Sequence, residues 1–253
     1  MKKIKKVANC KMKRRYKRGY FVAVLIGFEE KKAVLWQIFS KVVKHYVTVE
    51  IDVNNKRSLY NFRESVVDKI RPLLLEGVRS IIITAPMKTN YAKDFLNHIQ
   101  KHHQWLFQKN SSNNATFGEL VGSAARLNEV SELIKTREFH NLLSETTSED
   151  ADHIIDTLEK RLNETDGSSV ILYSLRDMEE LVYSRLEHSK LKPEYIILTD
   201  RYLTETKEKN RFHRLLQISK NKNIKTRIVK VETKAGIRLS QLGGLVCFTK
   251  IKQ

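Results

Sequence analysis

The sequence predicts an α/β fold built as two α/β domains, and three observations predict it. Stretches of two-residue apolar period alternate with stretches of helical period along most of the chain. Its 253 residues suit one large domain or two small ones, at roughly 100–200 residues each. A polar run at Ser144–Glu149 separates two halves that each hold their own strands and helices. We therefore expect a basic arm at residues 1–18, a first domain at 19–143 and a second at 144–253, with the boundary near Leu143–Thr147.

The elements follow in order. Tyr20–Gly27 (YFVAVLIG) is apolar and β-branched between Gly19 and Gly27, so it reads as a buried strand. Lys32–Phe39 reads as its neighbour after the charged turn Glu29–Lys32. Val47, Val49, Ile51 and Val53 alternate with Thr48, Glu50 and Asp52, the pattern of a half-buried strand. The period then changes. Leu59, Phe62, Val66, Ile70 and Leu73 mark a helix that Ser58 caps and Gly77 ends. Ser80–Thr84 is a short buried strand broken at Ala85-Pro86. The next helix carries Ala92, Phe95, Leu96 and Ile99 on one face. Residues 108–122 are rich in Ser, Asn and Gly, which predicts an exposed mobile loop. Ala124–Lys135 reads as a helix with Leu127, Val130, Leu133 and Ile134 inward.

In the second half, Asp150–Asn163 reads as a helix with Ile154, Ile155, Leu158 and Leu162 inward. Asp166-Gly167 reads as a turn, Val170–Tyr173 as a strand, Asp177–His188 as a helix and Tyr195–Thr199 as a strand. Glu205–Lys220 reads as a helix, and Arg227–Val231 and Leu245–Thr249 as the last strands.

Composition bounds the function. The net charge is +18, and residues 1–18 supply +10 of it with ten Lys or Arg and no acid. Such an arm suits nucleic acid, whose counterions each phosphate contact releases. A solvated tail and a contact with anionic lipid are the other readings, and the arm lacks the apolar helical face that lipid binding needs. Hydrophobic residues at 41% are enough for a core, which excludes a wholly disordered chain. No apolar run approaches the roughly 18 residues of a membrane span, and no signal-peptide core follows the basic start. Cys10 and Cys247 have no CxxC spacing, which excludes a disulfide scaffold and a Cys-based zinc site and suits a reducing compartment.

Catalytic and cofactor signatures are sparse. Neither GxxxxGK[ST] nor GxGxxG occurs, so no nucleotide cofactor is expected, and no G-x-S-x-G elbow supports Ser123 as a nucleophile. His98 and His102 stand four residues apart on a helix, but no third ligand is evident. We expect His98, His102 and His103 at a solvent-facing or RNA-facing helix end, and no metal site. Tyr91, Trp36, Trp105 and Phe107 are candidates for base stacking. Trp36 lies in a strand run, which points to the core.

Three stretches resemble the archaeal and eukaryotic class-1 peptide-chain release factors and their relative Pelota. Glu76–His103 (EGVRSIIITAPMKTNYAKDFLNHIQKHH) is similar to the family's second domain: a strand, a turn with Ala85-Pro86 where the family has Gly-Pro, then a helix ending in His-His. Gly122–Val130 (GSAARLNEV) resembles the Gly-rich loop and the Asn-Glu-Val helix of Pelota. Val170–Lys250 resembles the third domain, most specifically at Gly243-Gly244 before a hydrophobic strand.

The resemblance implies a central mixed-sheet domain with a loop at 108–123, and a C-terminal α/β/α sandwich like that of kink-turn-binding ribosomal proteins. It covers no counterpart of the family's N-terminal domain, so codon reading is not expected. Release factors carry Gly-Gly-Gln on the loop. Aligning Ser123-Ala124 and Arg126 with the family's Ser-Ala-x-Arg puts Leu120, Val121 and Gly122 there, and the glutamine is absent.

The implied function is that of a cytoplasmic, ribosome-associated factor in ribosome rescue or translation quality control. Its expected partners are rRNA, the tRNA acceptor end, and a translational GTPase or the ribosome-splitting ATPase. A peptidyl-tRNA hydrolase using loop residues Gly122 and Ser123, and a general structured-RNA binder, stand as alternatives. The expected RNA contacts are Lys11, Lys13, Arg14, Arg15, Lys17, Arg18, Lys109 and Arg126.

Overall fold

The structure, a computed structural model, describes residues 19–52, 58–108, 114–163, 170–184 and 191–251. In the first half, β1 (Phe21–Phe28), β2 (Lys32–Phe39) and β3 (Val43–Glu50) form an antiparallel meander. Helix α1 (Ser58–Leu75) then leads to β4 (Ser80–Ala85), which pairs with β1 in parallel. Helix α2 (Tyr91–His102) crosses to β5 (Thr116–Val121), parallel to β4, and the sheet order is β3-β2-β1-β4-β5.

β1 is apolar throughout because both faces of its sheet are covered. Val24, Ile26 and Phe28 join α1 and α2 in one core. Ala23 and Leu25 join Trp36, Ile82 and residues of α3 (Leu127–Leu133) and α4 (Arg137–Asn163) in another. Each fully buried Leu or Ile contributes about 1.5–3 kcal/mol relative to exposure.

The second half is also an α/β/α sandwich. Strand β6 (Ile171–Leu172) precedes α5 (Leu175–Tyr183), which the Ser174 hydroxyl caps by accepting the Asp177 N–H. Then come β7 (Leu191–Thr199), α6 (Asp200–Glu205), α7 (Lys209–Asn221), β8 (Lys225–Val229), α8 (Lys234–Gln241) and β9 (Leu245–Ile251). The sheet order is β6-β9-β7-β8. One face packs on α4 and α8, the other on α5 and α7.

Several expectations are corrected. The polar run 144–149, read as a boundary between the halves, does not interrupt the secondary structure. It lies inside α4, whose Phe139 packs against the first sheet and whose Ala151, Ile154 and Leu158 pack against the second. Thr146 and Thr147 donate their hydroxyls to Leu142 O and Leu143 O one turn back, which removes their competition with the helix. The expected loop 108–122 contains β5. Gly118 belongs in that strand because a Cβ there would stand 2.8 Å from the Leu142 side chain of α4. Helix α8 is an addition to the reading, and Glu205–Lys220 is two helices, α6 starting at Asp200. Leu127 and Leu162, expected inward, are exposed, as is Leu59 at the start of α1. Val53, the Asp166-Gly167 turn and the 185–188 end of the expected helix lie outside the described residues. Among the described residues, no helix is long and apolar enough to cross a membrane.

The two halves meet through a polar seam. Tyr195 donates its hydroxyl to Gly77 O (3.2 Å), and Lys220 pairs with Glu76 (2.9 Å). Arg227 donates to Val22 O (3.1 Å) and pairs with Asp150 (2.5 Å). Gly77 takes a left-handed turn (φ 96°) that ends α1 and lets the chain pass close to Thr226.

Candidate functional site

The parallel strands β1, β4 and β5 end together, and the turns leaving β4 and β5 form the site. The β5 turn is Gly122–Arg126. The Gly122 N–H donates to Ala85 O (2.9 Å), and the Thr84 hydroxyl donates to Gly122 O (2.6 Å), so both sides of Gly122 are tied to β4. Ser123 donates its hydroxyl to Glu129 Oε2 (2.7 Å). The same oxygen accepts the N–H groups of Ala125 (2.9 Å) and Arg126 (3.1 Å). Glu129 thus reaches back over the first turn of α3 as the acidic half of a capping box. The Ser123 bond and then the two backbone N–H groups hold its carboxyl below the ordinary carboxylate range. Behind this turn Trp36 donates its Nε1–H to Ala124 O (2.7 Å), and a Cβ on Gly27 would stand 2.6 Å from that oxygen.

The β4 turn runs Pro86–Asn90. Lys88 holds a left-handed backbone (φ 65°), a strained conformation for a residue with a side chain. Between this turn and β5 lies a shallow cleft of about 300 Å³ lined by Lys88, Lys93, Glu119 and Val121 among others. Met87, Val121 and Leu127 stand exposed at this end of the sheet, beside exposed Lys88, Lys93 and Arg126.

Of the residues picked from sequence, the structure brings Gly122, Ser123 and Arg126 together through Glu129. Lys11, Lys13, Arg14, Arg15, Lys17, Arg18 and Lys109 lie outside the described residues. Leu120 and Val121, aligned with the first two positions of Gly-Gly-Gln, belong to β5 rather than to a free loop. A hydroxyl donated to a carboxylate of lowered pKa is capped, not activated, since such a carboxylate is a weak base. Glu129 is the residue that sequence reading missed. Its position three residues after Arg126 was the signal, masked because Arg is not a usual N-cap.

The histidines are also placed differently from expectation. His98 and His103 are buried, and His102 alone of the three is exposed. Glu64 of α1 lies 2.9 Å from His98 Nε2 and 2.8 Å from His103 Nε2, both through Oε1. Core packing of α1 on α2 draws the rings in. Of the aromatic candidates, Trp36 is core as expected, Tyr91 and Trp105 are partly buried against the first core, and Phe107 is exposed with its ring 5.3 Å from Phe117.

No protein-family model and no curated protein matches the sequence. Solved structures do match. Ribosome-bound archaeal Pelota, described together with ABCE1, matches over 90% of this chain and 62% of its own at 13% identity, with a TM-score of 0.51. Dom34 of S. cerevisiae, a translation termination-like factor involved in RNA quality control pathways and interacting with Hbs1, matches over 92% of this chain and 63% of its own at 18% identity (TM-score 0.49). The chain therefore spans less than two thirds of the length of either protein. Over 90% of its length the chain therefore has the fold of archaeal Pelota.

Proposed function

We propose that the protein is a cytoplasmic, ribosome-associated factor that acts in ribosome rescue or translation quality control by binding rRNA and the tRNA acceptor end. The observation that carries this reading is the fold in common with a ribosome-bound Pelota, on a chain of net charge +18. In this reading the end of the first sheet, with Lys88, Lys93 and Arg126 around exposed Met87, Val121 and Leu127, faces the RNA. The basic arm and Lys109 add phosphate contacts. The second half docks a translational GTPase or the ribosome-splitting ATPase. The capped state of Ser123 weighs against hydrolysis at this turn.

Co-sedimentation with ribosomes near physiological salt tests the reading, with the full chain run beside one lacking residues 1–18. We expect both forms to be retained, the shorter one with a shallower salt dependence because it releases fewer counterions. Loss of binding with the arm overturns the reading and leaves a general RNA binder.

A further inference from the structure

We propose that Glu64, His98 and His103 form a binding site for Zn²⁺ that joins α1 to the end of α2. Two imidazole nitrogens and one carboxylate oxygen converge there, all within 4.8 Å of one another. Both Nε2 atoms aim at a single oxygen, Glu64 Oε1, rather than at separate acceptors. Two nitrogens and an oxygen are the donors of an open, three-ligand zinc centre in which water takes the fourth position.

The backbone explains why the rings converge. His98 sits within α2, and His103 is its C-cap, with its N–H bonded to Ile99 O at 2.8 Å. The chain leaves helical geometry at His103 (φ −132°, ψ 49°), which turns the second ring back beside the first, their centroids 5.7 Å apart. Glu64 lies on α1 between Phe62 and Val66, whose side chains enter the same core as Phe95 and Ile99 of α2. The three donors are thus held by the packing of two helices. His98 and His103 are each only 6% exposed, whereas the Glu64 side chain is 30% exposed, so an ion enters from the Glu64 side.

The charge around the site agrees with a cation. Neutral imidazole and ionised carboxylate are the forms that bind metal. Arg63, the neighbouring cation, pairs with Asp94 at 3.5 Å. Binding exchanges two hydrogen bonds to Oε1 for metal–ligand bonds, the proton on each Nε2 leaving to solvent or moving to Nδ1 of the same ring, and fastens the two helices.

The test uses the full chain after treatment with a chelator, and it involves no ribosome, so its outcome is separate from the proposed function. Calorimetric titration with Zn²⁺ is expected to show one saturable site per chain, and Zn²⁺ to raise the thermal midpoint by several degrees. Co²⁺ is expected to give the intense visible bands of a four- or five-coordinate ion. Glu64→Gln and His103→Gln are each expected to weaken Zn²⁺ binding by at least the roughly 10–100-fold that loss of an outer-shell partner costs. His45→Ala, at a site far along the sequence, is expected to leave it unchanged. Absence of a one-to-one site, or binding undiminished in both Glu64→Gln and His103→Gln, overturns the proposal. If circular dichroism shows that those two variants do not fold, the Co²⁺ spectrum of the unaltered chain decides. Only weak octahedral bands there would also overturn it.

Discussion

Asp150 and Arg227 meet at 2.5 Å in the seam between the two halves, the carboxylate side chain fully buried and the guanidinium 3% exposed. Arg79 stands 4.0 Å from the same carboxylate. Asp150→Ala leaves the Arg227 guanidinium buried without its counter-charge, and we expect it to cost about 3–5 kcal/mol. Combining Asp150→Leu with Arg227→Met should cost clearly less than the sum of the single changes. Urea unfolding of Asp150→Leu, Arg227→Met and the double variant measures this, and additive losses would contradict the coupling.

Gly27 and Trp36 share Ala124 O between them, one by close approach and one by a hydrogen bond. Gly27→Ala drives a methyl into that carbonyl. We expect a loss of about 1–3 kcal/mol, together with altered Trp36 emission in a Trp105→Phe background. Unchanged stability and emission would show that the turn adapts freely.

Acid should weaken the fold through two carboxylates. Glu129 is held below its ordinary 4.5 by Ser123 and the backbone N–H groups. Glu194 is also held below 4.5: burial opposes this, but its bonds to Arg161 and Lys250 prevail. The unfolded chain therefore takes up protons first as the pH falls. The stabilisation is complete above 4.5 and is lost as the pH drops through the lower folded values. Unfolding midpoints measured across this range should decline less steeply in a Glu129→Gln, Glu194→Gln chain. Parallel curves would refute the assignment.

Cys247 lies fully buried in β9, and burial pushes its thiol up to about 12. In a Cys10→Ser chain, a thiol-reactive dye should label the protein only as fast as it opens. Rapid labelling of the native chain would mean that β9 is more accessible than its packing implies.

Most strands were legible because β1, β2, β4, β7 and β9 are apolar runs bounded by breakers, and α1 and α2 carry clear helical periods; β5 was not. What escaped did so for local reasons with distant causes. Gly118 argues against a strand until Leu142 packs on it, and Gly236 argues against a helix until α8 passes so near Lys230 O that a Cβ would stand 2.0 Å away. The Ser144–Glu149 run argues for a break between two halves until its threonines bond back into the helix. At the candidate site, Gly122, Ser123 and Arg126 could be named from local sequence. Glu64 could not be joined to His98 and His103, because 34 and 39 residues separate them and only the packing of α1 on α2 brings them together.

The 27 residues of α4 also act as a ruler. Phe139 is seated in one sandwich and Ile154 in the other, so the rod between them sets both the spacing and the azimuth of the two halves. One residue added near Thr147 would advance everything beyond it by 1.5 Å and rotate it by about 100°. The length of that segment is therefore under as much constraint as its side chains, although its composition is that of a loop.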